Sequence, residues 1–135
     1  MPTNLTLPAH SVVRVRILNF DDATAQKPAS YAKVWGTVGG TISVQRMMPG
    51  MPNMLYGAHT VRSLSAATEV SHTFTSPGMH LNVPIAPTGV TTFLLRTGKP
   101  GHYTWQCMNP CGDGAAGWGG PMRMRGYMSG TITVA

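Results

Sequence analysis

The sequence predicts an all-β fold, a single sandwich of short strands, and three observations carry that expectation. Sixteen Gly and 11 Pro are spread through 135 residues and cut the apolar runs into strand-sized pieces. "VVRVRI" alternates apolar and basic residues with the period of two that a half-buried strand requires. No window of about eleven or more residues keeps a helical period. The length suits one domain with a core of its own, and we assign residues 1–135 to it.

Along the chain, Pro8-Ala9-His10-Ser11 reads as a turn before the first clear strand. Val13, Val15 and Ile17 are expected to face the core there, with Arg14 and Arg16 facing water. Asn19-Phe20-Asp21-Asp22 closes the strand with side chains suited to bonding their own backbone. "YAKVWGTVGGTISVQ" supplies β-branched residues interrupted by Gly36, Gly39 and Gly40, and predicts a strand pair or a bulged strand. "VSHTFT", "HLNVPIAP", "VTTFLLRT", "GHYTWQC" and "SGTITVA" are further strands. Antiparallel packing of such pieces into two sheets is the economical architecture.

"VQRMMPGMPNMLYGAH" breaks the rhythm and reads as a loop constrained by Pro49 and Pro52. Met47, Met48, Met51 and Met54 lie within it. Their thioethers are soft donors suited to Cu(I), but the reading favoured by the constrained loop is that they pack it onto the sandwich.

Composition excludes several function classes. The only carboxylates are Asp21, Asp22, Glu69 and Asp113, and the one obvious pair is adjacent on a turn, so paired-acid hydrolysis is not expected. No nucleophile–base pair stands out, and the domain is not expected to be an enzyme. The net charge of +6 comes from basic residues scattered along the chain without a run or a recognition motif. This argues against nucleic-acid binding and for an acidic protein partner. No stretch is apolar enough to span a bilayer. The start "MPTNLTLPAH" has the look of a mature domain from which an export signal has been trimmed, so the protein is expected outside the cytoplasm.

Chemistry concentrates in "YTWQCMNPCGDGAAGWGGPM", residues 103–122, which holds two cysteines four apart, a glycine-rich turn and a methionine. Tyr103, Trp105 and Cys107 share one strand face, so the thiol is expected among aromatics, with His102 on the exposed face. This half of the chain resembles the cupredoxin family, which includes the copper domain of cytochrome oxidase subunit II and the archaeal small blue proteins. The resemblance covers residues 67–134, with a weaker echo in "LPAHSVVRVRILNFD". In it "VSHTFT" looks like the strand carrying an imidazole ligand at His72, and "NVPIAP" like the turn that follows. "GKPGHYTWQC" closely resembles the strand delivering a cysteine ligand at Cys107, and "SGTITV" resembles the closing strand. It implies a cupredoxin-like Greek-key sandwich of antiparallel and mixed strands with long loops, binding copper for single-electron transfer.

The resemblance is incomplete at one ligand. The spacing of Cys107 and Cys111 is that of the two bridging thiolates in the binuclear centre of the oxidase subunit. That pattern continues with His four residues on and Met three beyond, where this chain has Ala115 and Trp118. No histidine follows Cys107 at all. Three readings stay open. Copper binds through His72, Cys107, Cys111 and Met122, with His80, Asp113 or solvent filling the gap. Alternatively, Cys107 and Cys111 form a disulfide in a copper-free binding or assembly module. In the third, His72 is an ordinary hydrogen-bonded histidine and both thiols are inert. His80 is expected close to His72, at the start of the strand following the Ser76-Pro77-Gly78 turn. "GWGGPMRMRGYMSG" is either a docking rim made basic by Arg123 and Arg125 or a loop held down by Trp118 and Tyr127.

Overall fold

A computed structural model describes residues 3–24, 29–48, 50–66, 68–107 and 129–135. Nine strands among them form two sheets. The strands are β1 (Thr3–Leu7), β2 (Val12–Asn19), β3 (Ile42–Met48), β4 (Met51–Val61), β5 (His72–Ser76), β6 (Leu81–Ile85), β7 (Gly89–Arg96), β8 (Gly101–Gln106) and β9 (Ser129–Val134). One sheet has the order β1-β9-β8-β5-β6 and the other β2-β7-β3-β4. The chain crosses between the sheets after β1, after β4, after β6 and after β7, as a Greek-key sandwich requires. All strand pairs are antiparallel except β1 with β9, which is parallel and in register from Thr3↔Gly130 to Leu7↔Val134. The all-β, mixed-strand sandwich expected from the sequence is therefore the fold observed.

Alternation decides which side chains enter the core. In β2, Val13, Val15 and Ile17 are partly buried while Arg14 and Arg16 are exposed. Ile42, Val44, Phe93 and Leu95 of the four-stranded sheet meet Phe74, Leu81, Val83, Trp105 and Ile132 of the five-stranded one in a single apolar cluster. Burying side chains of this size contributes about 1.5–3 kcal/mol each. β6 is an edge strand, which accommodates Pro84 without loss of a ladder bond. Part of its free edge is covered by an isolated bridge in which the Trp35 and Asn82 amides each donate to the other's carbonyl.

Two expectations are corrected. "YAKVWGTVGGT" is not a strand pair. It folds as 3₁₀ turns at Ala29–Ala32 and Val38–Gly40 with single bridges at Lys33 and Trp35, and only Ile42 onward is a strand. Gly36, Gly39 and Gly40 all have positive φ, which takes the backbone out of the sheet. At Gly36 a Cβ would come 2.1 Å from the His80 carbonyl oxygen, so no other residue fits that approach. The methionine segment, conversely, is not a loop but the β3–β4 hairpin. Gly50 sits at the turn, and Pro52 and Gly57 fall at irregular steps of the ladder rather than displacing the strands.

Candidate metal centre

β5 and β8 bring His72 and Cys107 to the same end of the five-stranded sheet. The strands are antiparallel, with Thr75 paired to Gln106, so the residue just past β8 falls opposite Phe74, two residues from the first residue of β5. The backbone N–H of Thr73 donates to Cys107 Sγ at 3.3 Å. A donor aimed at sulfur favours the thiolate over the thiol, and hydrogen bonding around a ligand sulfur tunes a metal it binds. The aromatic environment expected for the thiol is present. Trp105 and Cys107 are buried, and the Trp105 ring stacks on Phe74 with centroids 4.8 Å apart. His102 is exposed on the opposite face, beside Thr133.

His72 is held from its far side. Its Nε2 lies 3.1 Å from Asp21 Oδ2, and its side chain is 13% exposed against 46% for Asp21. A carboxylate only accepts, so Nε2 is the donor of this contact, and in the neutral tautomer that leaves the ring's lone pair at Nδ1. Nδ1 is buried and has no hydrogen-bond partner among the described residues. A buried nitrogen lone pair without a donor costs free energy unless something binds it. Asp21 itself is placed by the turn after β2, where its amide donates to Asn19 Oδ1 and Thr88 donates to its carbonyl oxygen. Its role was invisible in the sequence, because it meets His72 across 51 residues.

Behind this pair lies a buried polar chain that the sequence reading also missed. Thr73 and Thr75 hydroxyls are 2.9 Å apart, and Thr75 donates to Asn82 Oδ1 at 2.6 Å. Asn82 Nδ2 donates to the carbonyls of Tyr31 and Lys33 at 3.0 and 2.7 Å. Thr73, Thr75 and Asn82 are fully buried. A satisfied network of this kind fixes β5 against β6 and the 3₁₀ segment, and with them the backbone that presents His72 and the Thr73 amide. The legible signal was two threonines at i and i+2 in "HTFT", one polar face on an otherwise buried strand.

His80 is not brought to His72. It ends the Pro77–Met79 3₁₀ turn in the left-handed region, at φ 53°, and is exposed. The β5–β6 register pairs Ser76 with Leu81 at that end and His72 with Ile85 at the other. The length of β5 therefore separates them by about 13 Å at ~3.3 Å per residue. "NVPIAP", expected as a turn, contains most of β6 instead. Replacing His80 by Asn, which tolerates positive φ, is expected to change copper affinity by less than about twofold in a chelator competition. A loss of tenfold or more would make it a ligand after all.

Cys111, Asp113, Ala115, Trp118, Met122, Arg123, Arg125 and Tyr127 lie outside the described residues. Among the described residues no group of three or more His, Cys, Asp or Glu side chains is gathered as a metal cluster. A metal held by His72 and Cys107 would need further donors from outside the described residues. A groove of about 510 Å³ lies elsewhere, on the four-stranded sheet, lined by Arg14, Arg16, Ser43, Gln45 and Thr60 among others, and includes neither donor. No helix of the described residues is long and apolar enough to cross a membrane.

No family model and no curated protein matches the sequence. Among solved structures the chain is similar to auracyanin B, with 15% identity and a TM-score of 0.40 over 98% of this chain and 77% of that one. A likeness of that size adds nothing to the assignment of the site.

Proposed function

We propose that this chain is a copper-binding, cupredoxin-like carrier of single electrons, acting outside the cytoplasm. The observation that supports it is the buried Nδ1 of His72, unpartnered among the described residues, at the strand end where Cys107 Sγ accepts the Thr73 amide. An imidazole nitrogen and a thiolate are the strong donors such a carrier needs, and a thioether at Met122 is a suitable weak third. Cys111, or Asp113, takes the place of the missing imidazole. When bound, copper supplies a one-electron couple between two oxidation states that share one ligand geometry.

The chain's own residues have separate tasks in this reading. Asp21 orients the ring by accepting from Nε2, and the neutral tautomer would then offer the buried Nδ1 to a metal, the arrangement usual for metal-bound histidine. The Thr73 amide stabilises negative charge on sulfur. Trp105 and Phe74 keep water from that side of the thiolate. Arg14 and Arg16, which have no carboxylate partner among the described residues, favour an acidic redox partner.

The test is copper loading of reduced protein, followed by visible absorption and electron paramagnetic resonance. The expected result is an intense thiolate-to-copper band that Cys107→Ser abolishes. Reduced, folded protein that takes up copper without such a band, or takes up none, overturns the proposal. A thiol count on unfolded protein finding no free thiol would favour the disulfide-bridged, copper-free module.

A further inference from the structure

The β3–β4 hairpin carries methionines that the core does not use. Met47 is buried and anchored, its amide donating to the Thr88 carbonyl. Met48, Met51 and Met54 are 36%, 47% and 49% exposed, so packing accounts for one of the four methionines and leaves three in solvent. The ladder sets two of these three opposite each other and leaves the third in the irregular step beside them. Met48 pairs directly with Met51, and the preceding rung pairs Met47 with Leu55. One step along β3 is therefore matched by four residues on β4, and the irregular step lifts Met54 out between two paired rungs. Side chains opposite each other across strands have Cβ atoms about 4.5–5.5 Å apart. Long, unbranched thioether arms close that gap easily.

We propose that Met48, Met51 and Met54 form a thioether site for a soft monovalent cation, copper(I). Three neutral sulfur donors on a short hairpin suit a soft ion and offer little to hard divalent cations, which prefer oxygen. The surroundings agree with this choice. Among the described residues the hairpin brings no carboxylate to that end, and its charged neighbour Arg46 is cationic, so a harder or more highly charged ion gains no electrostatic help. The site is distinct from His72 and Cys107, although it lies at the same end of the sandwich. Met47 bonds Thr88, Thr88 bonds Asp21, and Asp21 bonds His72. It needs no contribution from the thiols and stands whether or not they bind copper.

The experiment uses full-length protein and silver(I), an air-stable ion of the same charge and softness, with the methionine methyl resonances followed by ¹H–¹³C NMR and assigned by single Met→Leu variants. The expected result is that the Met48, Met51 and Met54 methyls shift together and saturate at one equivalent beyond that taken by the thiols. Methyls that stay put, or shifts confined to Met122, Met124 and Met128, overturn the site. In a Cys107→Ser, Cys111→Ser background, the triple variant Met48→Leu, Met51→Leu, Met54→Leu should lose at least about tenfold in copper(I) affinity by anaerobic chelator competition. Leucine keeps the apolar area, so undiminished affinity in that variant equally overturns the proposal. A failure of copper to give a thiolate band at Cys107 leaves both readouts intact, so the two proposals fail separately.

Discussion

Asn82→Ala should destabilise the protein by about 3–5 kcal/mol, a large fraction of the 5–15 kcal/mol typical of a domain. The side chain accepts from the fully buried Thr75 hydroxyl and donates to the part-buried Tyr31 and Lys33 carbonyls, and Asn82 itself is fully buried. Truncation removes the donor of two carbonyls and leaves the Thr75 hydroxyl only that of Thr73 as partner, each lost bond costing about 1–3 kcal/mol when left unmade. Alanine also leaves a small void under β6. Asn82→Asp separates the two contributions. It preserves volume and the acceptor for Thr75, yet a carboxylate has nothing to donate to the two carbonyls, so it should be nearly as harmful. The check is the urea midpoint and slope of each variant. A loss below about 1 kcal/mol for both would mean that the 3₁₀ segment is not held by this residue.

The largest functional effect is expected from adding ligands rather than removing them. Ala115→His combined with Trp118→Met places an imidazole four residues after Cys111 and a thioether three beyond, the spacing of the binuclear family that the chain resembles. We expect copper affinity to rise by about a hundredfold or more, equivalent to ~2.7 kcal/mol, with intense visible absorption from two thiolates. Equilibrium titration of reduced protein at a fixed chelator concentration measures it. If the variant is folded and reduced and its affinity is unchanged, the segment from Cys107 to Met122 does not follow that spacing.

The strands were legible because a half-buried sheet writes its period directly into the chain, as Val13, Val15 and Ile17 show against Arg14 and Arg16. Methionine, proline and glycine carry no such signal, which is why the β3–β4 hairpin looked like a loop. Trp35 and its neighbours have strand-like composition, but positive φ at three glycines overrode it. At the site, resemblance singled out His72 and Cys107, and strand pairing brings them to one end of the sheet. Asp21 could not be found that way, since an acidic residue on a turn is ordinary until the fold sets it against an imidazole. His80 was misjudged because a short turn was taken to mean proximity, whereas antiparallel pairing puts the turn a full strand away from His72.

The parallel pairing of β1 with β9 has a consequence for how the chain reaches this structure. Asn4 bonds Thr131 across 127 residues, and β9 is the strand that joins β1 to β8. Closing such a distant contact requires ordering most of the chain first, which places the protein among the slow, high-contact-order folders. During synthesis β1 waits without its partner, and β8 presents an unpaired edge, until residues 129–135 have left the ribosome. That interval is when the chain is most exposed to edge-to-edge association. Refolding that slows on weakening β9, with little change in the unfolding rate, would mark this closure as the rate-limiting event.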